Sequence, residues 1–200
     1  MRLFQRRRKP AAPTLPVLQT ERLVLRGFDP NDAVDVFAYA KSENVGPMAG
    51  WPPHQTLEDS RRVVDMFIRE GEVWAVVEKR SGRVIGSVGL HKRADRRAME
   101  GARELGYALG EAYWGQGYGT EANSAALKYA FETLNCPMVC VSHFPFNQRS
   151  KRLIKKLGFV YEGTLRRTWK LPDGSYTDEC AYSLLKEEYE AQKGGCPCRP

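Results

Sequence analysis

The first ordered stretch alternates. Leu23 and Leu25 face one way against Arg22, Val24 and Arg26, a period of two that predicts a strand ending at the turn signal Asp29-Pro30-Asn31-Asp32. Ala33, Val36, Phe37 and Ala40 then recur at i, i+3, i+4 and i+7, which predicts a helix over 33–43 that stops before Asn44, Gly46 and Pro47. MAGWPPHQ breaks regular structure, and Thr56 with Asp59 forms a helix-start pattern ahead of Val64, Phe67 and Ile68, a second amphipathic helix ending at Gly71. There the period changes back to two. VWAVVEK and RVIGSVGLH are β-branched runs separated by Arg80-Ser81-Gly82, and ARELGYAL follows the charged loop KRADRRAMEG as a third strand of this series.

A helix is expected from near Thr120, with Ala122, Ala126, Ala130, Leu127, Phe131 and Leu134 as its packed stripe, before Asn135 and Pro137 end it. MVCVSHF reads as a buried strand, and FNQRSKRLIKKLGF as a short helix with Asn147 or Ser150 near its start and Gly158 just past its end. LRRTWK and SYTDECAYSLL flank the turn Leu171-Pro172-Asp173-Gly174 as two antiparallel strands. The order is strand, two helices, three strands, helix, strand, helix, two strands. With no repeat and no second core, it predicts one mixed α/β sheet with helices on its faces.

Length and composition agree with one soluble globular domain: 200 residues, 42% hydrophobic and 28% charged. No apolar run is long enough to span a membrane, and the first residues lack the apolar block of an export signal, so a cytoplasmic protein is expected. The formal charge of +7 is concentrated: Arg2, Arg6, Arg7, Arg8 and Lys9 supply most of it, and residues 1–16 contain no acid. This basic, proline-containing stretch reads as a disordered arm ahead of a domain over 17–190, with a frayed tail over 191–200. Docking of the arm to RNA, a ribosome or an anionic surface is the alternative. The cysteines Cys136, Cys140, Cys180, Cys196 and Cys198 are odd in number and read as reduced thiols. Strand alternation sends Cys140 and His143 to opposite faces, so they do not share a metal, and no metal is expected.

The chemistry concentrates in GEAYWGQGYGTEA. Gly115, Gly117 and Gly119 alternate just before a helix N-terminus, where unpaired N–H groups favour a negative ligand, and glycine lets the backbone approach a pyrophosphate closely. The spacing is not that of a nucleoside-triphosphate loop. It is also one residue short of the dinucleotide fingerprint, which would follow a first strand. Taken alone, the loop is a weak signal, and turn chemistry is its other reading.

Four ordered blocks make it more specific: TERLVLRGF, GYALGEAYWGQGYGTEA, NQRSKRLIKKLGFVYEG and DGSYTD. Together they resemble the GNAT superfamily of acyl-CoA N-acyltransferases, in its RimJ/RimL-like branch, over about Thr20 to Tyr189. The resemblance implies a single GNAT-type domain with a mixed, mostly antiparallel sheet. It implies acetyl-CoA as cosubstrate, with Gln116, Gly117, Gly119 and Thr120 at the pyrophosphate. Trp114 stands where the superfamily pattern has Gln or Arg. Tyr107 to Leu109 would lie along the pantetheine arm, with a backbone N–H near Leu109 polarising the thioester carbonyl, and Asn147 would contact pantetheine.

An amine must be neutral to attack directly. An α-amine with a reference pKa near 8 is about a tenth neutral at pH 7, a lysine side chain far less, so a proton-accepting carboxylate helps. The family's acidic position before Gly-Tyr is Glu104, the base candidate; a solvated strand residue paired with Arg103 or a neighbour is its other reading. The thiolate-protonating tyrosine of many relatives is replaced by Ile154; in the RimJ/RimL-like branch the serine of NxxS is the suggested donor, so the resemblance implies that role for Ser150, which with Asn147 could equally serve as a helix cap. His54 and His91 read as surface or packing residues, Tyr113, Trp114 and Tyr118 as packing around the loop, and Glu162 and Asp178 as structural. The expected activity is acetyl transfer to a primary amine in a ternary complex, most readily a protein N-terminal α-amine. Small amines, or a non-catalytic CoA-binding or ribosome-associated module, are the alternatives. MAGWPPHQ and helix 33–43 would form the acceptor wall.

Overall fold

In the computed structural model, residues 15–92 and 99–193 are described. The expectations for the arm up to Thr14, for most of the charged loop after His91 and for Cys196 and Cys198 lie outside them. Eight strands form one sheet: β1 (Leu18–Gln19), β2 (Leu23–Gly27), β3 (Val73–Glu78), β4 (Val84–His91), β5 (Arg103–Leu109), β6 (Met138–His143), β7 (Val160–Lys170) and β8 (Tyr176–Leu185), in the order β1-β2-β3-β4-β5-β6-β8-β7. Every pairing is antiparallel except β5 with β6. The helices are α1 (Ala33–Ala40), α2 (Leu57–Glu70), α3 (Tyr118–Lys128), α4 (Gln148–Lys156) and α5 (Lys186–Lys193).

The local signals act as their chemistry requires. Asp29 and Asp32 cap the turn ahead of α1, and Arg26 forks onto Asp32 at 2.7 and 2.8 Å. Thr56 and Asp59 form a reciprocal capping box on α2, and Gly71 ends it at φ +63°. Leu23 and Leu25 are fully buried, as the alternation predicts. They join Trp74, Val76, Leu105, Val139, Val141 and Leu184 in a core beneath α3 and α4. The opposite face packs Val73, Ala75, Val77 and Val84 against Phe28, Val36, Tyr39 and Val64 of the α1–α2 layer. That second core takes no residue from β6, β7 or β8.

Some expectations change. The short strand β1 and helix α5 carried no clear periodicity, and α5 runs through the expected boundary at 190. α1 stops at Ala40 rather than 43, and Pro47–Ala49 makes a single 3₁₀ turn that leads into MAGWPPHQ. α3 starts at Tyr118, two residues before Thr120, because Gly117 in the left-handed region already aims the chain into the helix. Leu134, expected on the packed stripe, is 40% exposed. A π turn over Tyr129–Thr133, with the Leu134 N–H donating to the Tyr129 carbonyl, inserts an extra residue and rotates Leu134 off the buried face. β7 begins at Val160, earlier than LRRTWK, since VYEGT pairs with β8 from Val160↔Ser183 onward.

Candidate active site

The parallel junction of β5 and β6 opens the sheet. Only Arg103↔Val139 and Glu104↔Cys140 are paired; beyond them β5 continues to Leu109 and β6 to His143 with no ladder between them. The edge of β5 that faces β6 therefore has backbone groups to offer a ligand. The gap is part of a cleft of about 750 Å³ bordered by Glu104 to Leu109, Ser142 to Phe144, Asn147, Ser150 and the glycine loop.

At one end lies the loop. Gly115 and Gly117 have φ of +74° and +85°, conformations that side-chain-bearing residues adopt at a cost. Gly117 caps α3 with no side-chain hydrogen bond, so the first-turn N–H groups of Tyr118, Gly119 and Thr120 stay available for an anion. A Cβ at Gly115 would meet nothing within 4 Å, which leaves open space against the backbone. These features fit a pyrophosphate. α4 lies alongside, with Leu153 only 3.4 Å from where a Gly119 Cβ would stand, and contributes Arg149, Arg152 and Lys156 to the cleft wall. The Arg149 guanidinium stacks 4.1 Å over the Trp114 ring, and Trp114 Nε1 donates to the Leu109 carbonyl.

Of the expected site residues, Gly117, Gly119, Thr120, Tyr107, Leu109, Asn147, Ser150 and Glu104 all border the cleft. Gln116 does not. Its side chain turns back to donate to the Ala112 carbonyl at 2.8 Å, so only its backbone belongs to the loop. Two residues expected to act separately meet: Tyr107 Oη and Ser150 Oγ are 2.6 Å apart and bridge β5 to α4. Burial pushes the Tyr107 phenol up to about 12, so it stays protonated at neutral pH and can hold or supply a hydrogen. Asn147 accepts from the Ser150 N–H at 3.1 Å and donates to the Met48 carbonyl at 2.9 Å. It is therefore both the α4 cap and a strap to the Met48 loop. Helix α1 contributes no residue to the cleft, whereas Met48 and Ala49 of MAGWPPHQ border it, with Val45 beside them.

The other end is acidic and comes from four strands. Register places His91, Glu104, Cys140, Ala181 and Glu179 on one face of the sheet, along with Ser142, which donates to Glu179. Glu104, Ser142, Glu179 and Trp169 border the cleft there. His143 also borders it from the other face. Its Nδ1–H donates to the Phe144 carbonyl, Tyr182 Oη lies 3.2 Å from Nε2, and burial lowers its pKa. Sequence reasoning missed Ser142, Glu179 and Trp169, because they reach the cleft only through strand pairing. It also missed Asn123, fully buried at the cleft wall, whose Nδ2 donates to the Gly119 carbonyl while Oδ1 has no partner among the described residues.

Among the described residues, no group of three His, Cys, Asp or Glu side chains could hold a metal ion, and no helix is long and apolar enough to cross a membrane.

Comparison with known proteins agrees with this geometry. Residues 22–160 match the family model described as acetyltransferase (GNAT) domain. The chain is 28% identical over 176 residues to the uncharacterized N-acetyltransferase YoaA of Bacillus subtilis (strain 168), covering 86% of this chain and 97% of that one. It also superposes on a GNAT-family acetyltransferase from Bacillus anthracis with a TM-score of 0.77 at 25% identity, over 86% of this chain and all of the other. A shorter match, 32% identical over 85 residues, covers 42% of this chain and 43% of the [ribosomal protein uS5]-alanine N-acetyltransferase of Escherichia coli (strain K12).

Proposed function

The chain belongs to the GNAT acetyltransferase family, an acetyl-CoA-dependent N-acetyltransferase, and from that premise we propose that its acceptor is the α-amine of a polypeptide N-terminus. One observation carries the reading. The cleft has two signs: cationic α4 side chains beside the glycine loop, and Glu104 with Glu179 on the sheet face beyond the β5–β6 gap. The cationic end suits a polyanionic donor and the acidic end a cationic amine.

Acetyl-CoA supplies an activated thioester. The residues of this chain do the rest. The N–H groups of Tyr118 to Thr120 bind the pyrophosphate, the free β5 edge aligns the pantetheine arm, and the N–H near Leu109 polarises the thioester carbonyl. Glu104 accepts the ammonium proton, directly or through water, and Ser150, held by Tyr107, donates a hydrogen bond to the departing thiolate. Transfer is direct, without an acyl-enzyme. The acidic end lies where the α1–α2 core takes no residue from β6 or β8, and the cleft reaches it. The local similarity to an enzyme named for a ribosomal-protein alanine supports a polypeptide N-terminus as acceptor.

The test is thiol release from acetyl-CoA against peptides with free N-terminal Ala, Ser or Thr, beside polyamines and aminoglycosides, with the acetylated atom located by mass spectrometry. Acetylation at peptide α-amines is expected. Turnover restricted to small amines overturns the acceptor, and absence of turnover with every amine despite acetyl-CoA binding would point to a non-catalytic module.

A further inference from the structure

Behind the glycine loop, on the side away from the cleft, Arg22, one residue before β2, is tied to three parts of the molecule at once. Its backbone N–H and its Nε donate to the two carboxylate oxygens of Glu121 on α3 at 2.8 and 2.7 Å, with Nη2 also 2.7 Å from Glu121 Oε2. Nη1 donates to the Gln116 carbonyl at 2.9 Å, and the guanidinium lies 4.4 Å over the Tyr118 ring. Thr20 Oγ1 adds a 2.6 Å hydrogen bond to the same carboxylate, and Tyr118 Oη donates to the buried Glu78 at 2.5 Å.

The Gln116 carbonyl and the Gly117 N–H share one rigid trans peptide plane and point in opposite directions. Holding the carbonyl toward Arg22 therefore turns the Gly117 N–H away from it. Arg22 does not border the cleft, whereas Gly115, Gly117, Gly119 and Thr120 do. The room behind the loop is also filled: a Cβ on Gly117 would lie 3.2 Å from Arg22 Nη2, a second reason for glycine there besides φ +85°. The planar guanidinium suits the task because it can grip a carboxylate with two donors and still present a third to a carbonyl, which an ammonium cannot do with fixed geometry.

We propose that Arg22, locked onto Glu121, is the positioning residue of the pyrophosphate cradle: it fixes the Gln116–Gly117 peptide so that the loop N–H groups converge, and thereby sets the preference for acetyl-CoA over acyl donors without phosphate. The inference rests on the reading of the loop as the pyrophosphate site.

The readout is the ratio of kcat/KM for acetyl-CoA to kcat/KM for S-acetylpantetheine, which carries the thioester arm and no phosphate. In the unaltered protein this ratio is high. Arg22→Ala lowers it about tenfold, the scale of one or two charge-assisted hydrogen bonds, and Arg22→Lys restores less than half of the loss. Glu121→Gln supplies the sign test, and it keeps an acceptor for Thr20 and the Arg22 N–H. Removing a negative charge near an anion site strengthens binding if charge alone matters, whereas loosening the Arg22 fork weakens it. We expect the ratio to fall severalfold. A ratio unchanged in Arg22→Ala, with both donors losing equally, shows a purely structural residue and overturns the proposal, as does a rise in Glu121→Gln. A ratio near one in the unaltered protein overturns the loop reading and this inference together. A high ratio that survives the substitutions overturns this inference alone.

Discussion

The two ends of the cleft are built differently. The end proposed for the donor is one continuous stretch of backbone, β5 into the glycine loop into α3, flanked by the cationic side chains of α4. Its specificity lies in peptide planes, held by positive φ at Gly115 and Gly117. The acceptor end is assembled from side chains on four strands that only pairing brings together: His91, Glu104, Ser142 and Glu179. A backbone site tolerates change at most side chains and almost none in local geometry. A side-chain site behaves in the opposite way, and this is how one scaffold can keep its donor and change its acceptor.

The sharpest way to break this comparison is at its boundary. Glu104→Gln should lower kcat/KM by about a hundredfold or more with acetyl-CoA affinity retained. Calorimetric titration beside steady-state kinetics checks both. If acetyl-CoA affinity falls in parallel, the two ends are not separable. Gly117→Ala places a Cβ at φ +85° and 3.2 Å from Arg22, so acetyl-CoA KM should rise about tenfold while the acceptor KM holds.

Ser150→Ala tests the bridge between the halves. It should cost about tenfold in kcat and about 1 kcal/mol in stability, because it leaves the half-buried Tyr107 hydroxyl without its partner. Adding Tyr107→Phe should recover most of the stability and none of the rate, as read from denaturant unfolding and single-turnover kinetics. At the far side, Glu179→Gln should raise the acceptor KM about threefold and leave acetyl-CoA binding unchanged. The smallest effect concerns pH. Burial lowers the His143 pKa below its unfolded value near 6.5, so the unfolded chain binds more protons as pH falls through that value, and acidification destabilises the fold. The melting temperature should drop on going from pH 7 to 5.5, and in His143→Gln the drop should be smaller by about one or two degrees.

How much was legible follows the same division. TERLVLRGF, the Thr56 and Asp59 box and the β3–β4 hairpin announce themselves because each signal closes within a few residues. The glycine loop did so as well, since φ and helix-start chemistry are local. The pairing of Tyr107 with Ser150, 43 positions apart, was not legible, although each residue was singled out for its own reason. Two placements also needed the fold: the Gln116 side chain turns back to the Ala112 carbonyl, and helix α1 contributes no residue to the cleft. The π turn that exposes Leu134 was hidden because a stripe at helical spacing assumes an unbroken 3.6-residue period.

The sequence by itself determined the order of most strands and helices, the glycine loop ahead of α3 and the family's reaction class, because each is decided by neighbours in the chain. Only the tertiary structure decided that β5 and β6 part after two paired residues, that Arg22 reaches across 99 positions to Glu121, and that Glu104 and Glu179 share a face. Those outcomes depend on strand order and register, and a shift of one residue would send every one of these side chains to the opposite face of the sheet.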